Sequence, residues 1–355
     1  MGKLALFKFA YFMSIVLTFA LAVVSILGVF SGNVNPKYNP FMAGLSAALP
    51  LLLIINLFTL IYWACRRRVW VFFPLISLIA NYNFITAIIQ WPFSGDKTTE
   101  THLVKIMTLN ARNFVDDNQD DSVDEIKAYI EEHNINIICF QEYKDYVTGR
   151  PEKVCKFFET LFPYQAVSGS VATFSKFPIM KRDYITFRES NNCAQWIDIQ
   201  LRTGEQVRVF NVHMQTTGVN STLRQAKKMQ NQGISVKDEQ KVSMVANRME
   251  YESIRRAEQA NIIADIVKGT RTPVLLCGDF NDTPASYTYR TLKGKLNDGF
   301  KTAGKGYMYT YRGVKGLMRI DYILHSDKFK GVKYYSDNRN WSDHNPVVMS
   351  LNLPD

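Results

Sequence analysis

No aspartate or glutamate occurs before Asp96, and three long apolar runs follow one another in the same stretch. Before residue 93 its only charged side chains are six basic ones, Lys3, Lys8, Lys37 and Arg66 to Arg68. Phe9 to Phe30 is an almost wholly apolar run of 22 residues and Phe41 to Ala64 one of 24. About 20 such residues cross a hydrocarbon core as a helix. The third run, Val69 to about Gln90, is interrupted by Asn81, Asn83 and Thr86 and ends at Trp91, whose ring suits a membrane interface. We therefore expect three transmembrane helices over residues 1–92, with the lipid bilayer as partner. A cleaved signal peptide fits the first run poorly, because the apolar part of such peptides is about 7 to 15 residues long. Asn81 and Asn83 are expected to hydrogen-bond between helices.

Basic residues mark the cytoplasmic side of spans. Lys3 and Lys8 flank the first run and the three arginines fill the turn after the second, with only Lys37 in the other loop. This predicts a multi-pass protein with a cytoplasmic N-terminus and an extracytoplasmic remainder. The formal charge of +10 falls to 36 basic against 32 acidic residues once the first 92 are set aside. So mild an excess suits phosphate-bearing substrates but is no footprint for tracking long DNA. Five cysteines lack metal-type spacing, and Cys139 and Cys277 sit in apolar runs, where buried thiols are expected.

After a polar linker over 93–102, in which His102 is read as a surface residue, the chain alternates strand-like and helix-like patterns. Leu103 to Leu109 and Ile135 to Phe140 are expected strands around a helix at Asp121 to His133. Cys193 to Leu201 and Val207 to Val212 form an expected hairpin. Val242 to Val267 has helical amphipathicity, Tyr287 to Leu292 reads as a short helix and Arg319 to Leu324 as a strand. Such alternation argues for a mixed sheet covered by helices rather than a barrel. Met214 to Asp238, rich in Gln, Asn and Lys, reads as a long loop: a substrate-selecting rim or a disordered insertion.

The chemistry gathers at the ends of apolar runs. Leu275 to Pro284 reads LLCGDFNDTP, where Asp279 and Asn281 would share a face if the strand reached that far. Asn110 closes VKIMTLN, Glu142 follows NIICFQ, His213 follows the hairpin, and Ser342-Asp343-His344 precedes NPVVMSLNL. With SKFPI at Ser175 to Ile179, this set resembles the endonuclease/exonuclease/phosphatase superfamily of DNase I-like, exonuclease III-like and neutral sphingomyelinase-like enzymes, over roughly Val104 to the C-terminus.

The resemblance implies an α+β fold, a four-layer α/β/β/α sandwich of DNase I-like type, for a catalytic domain at 103–355. It implies Mg²⁺, with Mn²⁺ as the alternative, held by Glu142 with Asn110 and Asp343. Asp279 would orient or deprotonate the attacking water, Asn281 would hold a phosphoryl oxygen, and Asp321 would pair with His344. His213 matches the general acid of the DNase I and sphingomyelinase branches. RIDYIL stands where inositol-polyphosphate 5-phosphatases carry a Trp-x-Asp-Arg-type signature, which argues against phosphoinositide specificity. Arg255 or Arg256, with Gln259, could face the site or solvent; His133 and His325 match no family position. The expected activity is hydrolysis of a lipid-headgroup or small phosphodiester. The alternatives are an anchored nuclease acting on nucleic acid and an inactive membrane-bound binding module.

Overall fold

The computed structural model describes residues 3–91, 103–147, 150, 152–232, 237–314 and 316–352. The expected linker at 93–102, with His102, lies outside the described residues. Helices α1 (Lys3–Leu27) and α2 (Pro40–Cys65) are long and apolar enough to cross a membrane. The third run is not one straight span. It forms α3 (Phe72–Ala80) and α4 (Tyr82–Ile88), and the helical segments on the two sides of Asn81 meet at a 63° bend. The break has a local cause: the Asn81 side chain donates to the carbonyls of Ser77 and of Ser25 in α1, 2.9 Å each, competing with the helix ladder. Asn56 of α2 donates to the Ser25 hydroxyl at 2.8 Å, so Ser25 is the shared knot of the bundle. Asn83, expected beside Asn81, is exposed.

The rest of the chain builds two six-stranded sheets. The strands are β1 (Leu103–Asn110), β2 (Ile137–Gln141), β3 (Tyr164–Ser168), β4 (Val171–Ser175), β5 (Ile179–Thr186), β6 (Cys193–Gln200), β7 (Gln206–His213), β8 (Val274–Asp279), β9 (Asn297–Asp298), β10 (Asp321–His325), β11 (Lys330–Ser336) and β12 (Val347–Asn352). Their order is β11-β12-β1-β2-β4-β3 in the first sheet and β9-β10-β8-β7-β6-β5 in the second. Each sheet has one parallel pair, β1 with β2 and β7 with β8, and in each a helical crossover joins the two strands.

The inner faces pack on each other through Ile106, Cys139, Val209, Cys277 and Ile323. Helices α5 (Val123–Glu132) and α6 (Val154–Glu159) cover the outer face of the first sheet through Ile126, Ile130 and Phe158. The second sheet is covered by α8 (Asp238–Gly269) and α9 (Tyr287–Lys293), with Ala260, Ile263 and Leu292 buried. The segment read as a loop at 214–238 contains a helix, α7 (Val219–Asn231). Gly299–Ala303 forms a last short helix, α10.

The apolar helices dock on this sandwich at identifiable backbone groups. Pro50 inside α2 has no N–H, so the Ser46 carbonyl one turn earlier lacks its helical partner. The Thr283 hydroxyl, just past the GDFN turn, donates to that carbonyl at 3.2 Å. Ser31 Oγ donates to the Ala285 carbonyl at 2.8 Å, and a Cβ on Gly32 would stand 3.0 Å from the same oxygen. At the end of α4 the Ala87 carbonyl accepts from Arg319 at 2.8 Å, and Ile89 and Gln90 pair with Tyr307 and Gly306 in a short ladder. Arg319 is itself buried and forked onto Asp298.

Candidate active site

The topology brings the sequence-predicted residues to one edge. Parallel pairing sets Asn110 beside Gln141, with Glu142 next, and His213 beside Asp279. In β10, antiparallel to β8, Asp321 stands opposite Asp279. The Ser342-Asp343-His344 turn enters β12 next to β1, and Ser342 Oγ donates to the Asn110 carbonyl at 2.7 Å. Asn110, Glu142, His213, Asp279, Asn281, Asp321, Asp343 and His344 thus come from both sheets to one rim.

Asp279 is the hub. Its Oδ2 accepts from Asn110 and Asn281, 3.1 Å each, and lies 3.9 Å from His213 Nε2 and 3.8 Å from His344 Nε2. Gly278 makes this possible: at φ +140° a Cβ there would sit 1.9 Å from the Val212 carbonyl oxygen, so only glycine lets β7 and β8 close beside the aspartate. The strand ends at Asp279. Asn281 therefore reaches the hub through a left-handed residue (φ +51°) whose N–H bonds Asp279 Oδ1 at 2.8 Å, not by continued strand alternation. Glu142 is also left-handed (φ +47°), and its Oε1 accepts from Asn110 at 3.1 Å and lies 3.8 Å from His213 Nε2. Strained non-glycine residues of this kind persist where the surroundings over-determine them.

Burial divides the set electrostatically. Asp279 is buried, and that burial, helped by the charge of Asp321, pushes its carboxyl up to about 7 against the pull of His344. Burial also disfavours a charge on His344, but Asp321, at 2.9 Å from its Nδ1, and Asp279 push it up to about 10, so this imidazole is charged at neutral pH. Burial pushes His213 down despite Glu142, and neither of its ring nitrogens has a hydrogen-bond partner among the described residues. Asp279, Asp321 and His344 offer three ligand atoms within 4.8 Å of one another. The three are a candidate metal cluster, and among themselves they form an ion pair, Asp321 on His344, beside a second carboxylate. Glu142, 35% exposed at the rim beside the Asn110 amide, offers the hard oxygen donor that Mg²⁺ or Mn²⁺ requires. Asp343 is half-buried; its carboxylate meets the Ser342 hydroxyl at 3.4 Å and acts on His344 through its charge.

Several supporting residues were not legible from the motifs. The Thr310 hydroxyl accepts from the N–H groups of Ile320 and Asp321 at 2.9 and 3.0 Å and fixes the start of β10. Asn211, buried between the sheets, accepts from Gln141 at 2.7 Å and donates to the carbonyls of Phe140 and Ala172 at 3.0 Å. Arg256 pairs with Asp282 and binds the Gln215 carbonyl, while Gln259 accepts from the Gln215 N–H; Arg255 turns to Glu252. His325 is buried and bonded to Thr302, and His133 stacks on Tyr129.

Residues 8–88 match a domain of unknown function (DUF8431), and residues 107–344 match the Endonuclease/Exonuclease/phosphatase family. No curated protein matches the chain. Among solved structures it is similar to an endonuclease/exonuclease/phosphatase from Bacteroides vulgatus, at 18% identity and TM-score 0.51 over 72% of this chain and 100% of that one. It is also similar to a family protein from Bacteroides thetaiotaomicron (18%, 0.50, 70% and 97%) and to humanized D. rerio TDP2 (13%, 0.52, 70% and 99%). At such identities the likeness concerns the fold alone. The family match spans most of the sandwich and all eight rim residues, and on it the chain belongs to the endonuclease/exonuclease/phosphatase family.

Proposed function

We propose that this protein is a Mg²⁺-dependent phosphodiesterase, an anchor at 1–92 joined through 93–102 to a catalytic unit at 103–355, acting outside the cytoplasm on a lipid headgroup or small phosphodiester. One observation carries the choice of substrate. The edge that bears Asp279, Asn281, Asp321 and His344 also bears Thr283, Ala285 and Arg319, which hold the apolar helices. A site on that edge lies beside the bilayer its anchor crosses.

Glu142, with Asn110 and Asp343, would hold the divalent ion, which when bound neutralises charge on the phosphoryl oxygens. Asp279, with a carboxyl near neutrality, takes the proton of the attacking water. The His344 imidazolium, oriented by Asp321, donates to a phosphoryl oxygen, and Asn281 positions a second one. Burial favours neutral His213; a phosphate's negative charge beside it raises its affinity for a proton, which it then passes to the leaving oxygen.

The test is hydrolysis by the full chain in vesicles with Mg²⁺, offered phospholipid headgroups, plasmid DNA and bis-p-nitrophenyl phosphate. Headgroup release with intact plasmid is expected. Nicked plasmid with intact lipid would make the protein an anchored nuclease, and no turnover of any of the three would make it a binding module.

A further inference from the structure

Helix α8 is longer than the sheet it serves. Its 32 residues span about 48 Å, whereas β8, which it feeds, has six residues and spans about 20 Å. All buried side chains of α8 fall between Glu252 and Ile263. Because β8 then runs to the catalytic edge at Asp279, α8 starts at that edge and ends at the opposite one. Its first part, Asp238 to Tyr251, therefore projects about 21 Å past the edge that carries both the site and the anchor contacts.

Helix α7 lies on α8, with Thr222 and Ala226, one turn apart, buried. Gly218, just before it, is covered by the Arg248 side chain, 2.8 Å from where a Cβ would stand, and Arg248 pairs with the buried Glu252. The other face of α7 exposes Leu223, Arg224, Lys227 and Lys228, and the helix contains no acid. No ion pair to a described residue engages the three basic side chains. The membrane-crossing α2 also packs against α8, near the point where Arg256 holds Asp282 and Thr283 holds Ser46.

We propose that α7 and the projecting part of α8 form an arm resting on an anionic phospholipid surface beside the anchor, with Arg224, Lys227 and Lys228 on headgroup phosphates and Leu223 in the interface. The occupant follows from continuity with a bilayer-crossing helix and from charge: an acid-free basic helix with an apolar residue at its surface is a lipid-interface element. The inference rests on the reading that α1 and α2 cross a bilayer. It deepens the proposed function by naming the surface to which the site opens. The arm is coupled to the chemistry, since only residues 214–218 separate His213 from α7, and Gln215 among them is clamped by Gln259 and Arg256.

The experiment is hydrogen exchange over residues 219–231 of the full chain in nanodiscs of phosphatidylcholine alone or mixed with phosphatidylglycerol, with α5 as internal reference. Exchange in α7 is expected to slow about tenfold or more in the anionic discs, and to recover in high salt and in the R224Q/K227Q/K228Q variant. Equal exchange in the two lipids, or unchanged protection in the variant, would overturn the arm. No substrate is needed for this readout. Protection without headgroup hydrolysis keeps the arm and sinks the lipid-substrate reading; hydrolysis without protection does the reverse.

Discussion

The two sheets are built alike around their parallel pairs, yet they furnish the rim differently. In the first, β1 and β2 are bridged by the ten-residue α5 and deliver Asn110, a buried amide, and Glu142, a carboxylate 35% exposed at the rim. In the second, β7 and β8 are bridged by α7 and the 32-residue α8 and deliver His213 and Asp279, both almost wholly buried. The difference teaches how one topology supplies two chemistries. In the proposed function the more accessible carboxylate is the one that takes a cation, whereas burial pushes the other up to about 7, where it can exchange a proton.

The comparison can be broken in several places. Removing the proton-handling side should have the largest effect: Asp279→Asn is expected to lower kcat by about 10²- to 10⁴-fold with Mg²⁺ affinity retained, as measured by turnover of bis-p-nitrophenyl phosphate and metal titration. Gly278→Ala drives a methyl into the Val212 carbonyl and should cost on the order of 3 kcal/mol, read as a fall in Tm in detergent; a Tm within a degree or so of the parent would show that β7 and β8 do not need that close approach.

Asn211→Ala removes its bonds with Gln141 and with two carbonyls between the sheets, although Gln141 keeps Thr108, and should cost about 2 kcal/mol. Activity should persist in this variant below its lowered Tm, since Asn211 ties the halves together without entering the rim. The gentlest probe is pH. A base must be deprotonated, so kcat/KM is expected to rise with pH through about 7 as Asp279 ionises, and to fall through about 10 as His344 loses its proton. A flat profile between pH 5 and 9 would remove Asp279 from the role of base.

The rim was legible in the sequence because its residues end, follow or precede apolar runs, and strand ends are places that topology can gather. What holds it was not. Asn211 and Gln141 stand 70 residues apart, and nothing local distinguishes them from ordinary strand polar residues. Alternation would bring Asn281 to the face of Asp279 only if the strand reached that far; it ends at Asp279, and Asn281 is placed by a left-handed turn that alternation does not describe. Helix α7 was read as a loop because Gln, Asn and Lys dominate it and only one narrow face, Thr222 and Ala226, packs. The third apolar run has the length of a span but bends at Asn81, for a partner, Ser25, lying in another helix. Pro50 carries a signal of its own: a proline inside an apolar helix frees a carbonyl, and Thr283 takes it.

The central claim is that the first sheet supplies the cation side and the second the proton side. It is tested most directly by Mg²⁺ titration of Glu142→Gln beside Asp279→Asn. The account predicts that Glu142→Gln binds Mg²⁺ at least about tenfold more weakly, with activity partly restored by excess metal, while Asp279→Asn binds it as the parent does. Unchanged binding in Glu142→Gln, with loss confined to Asp279→Asn, would contradict it.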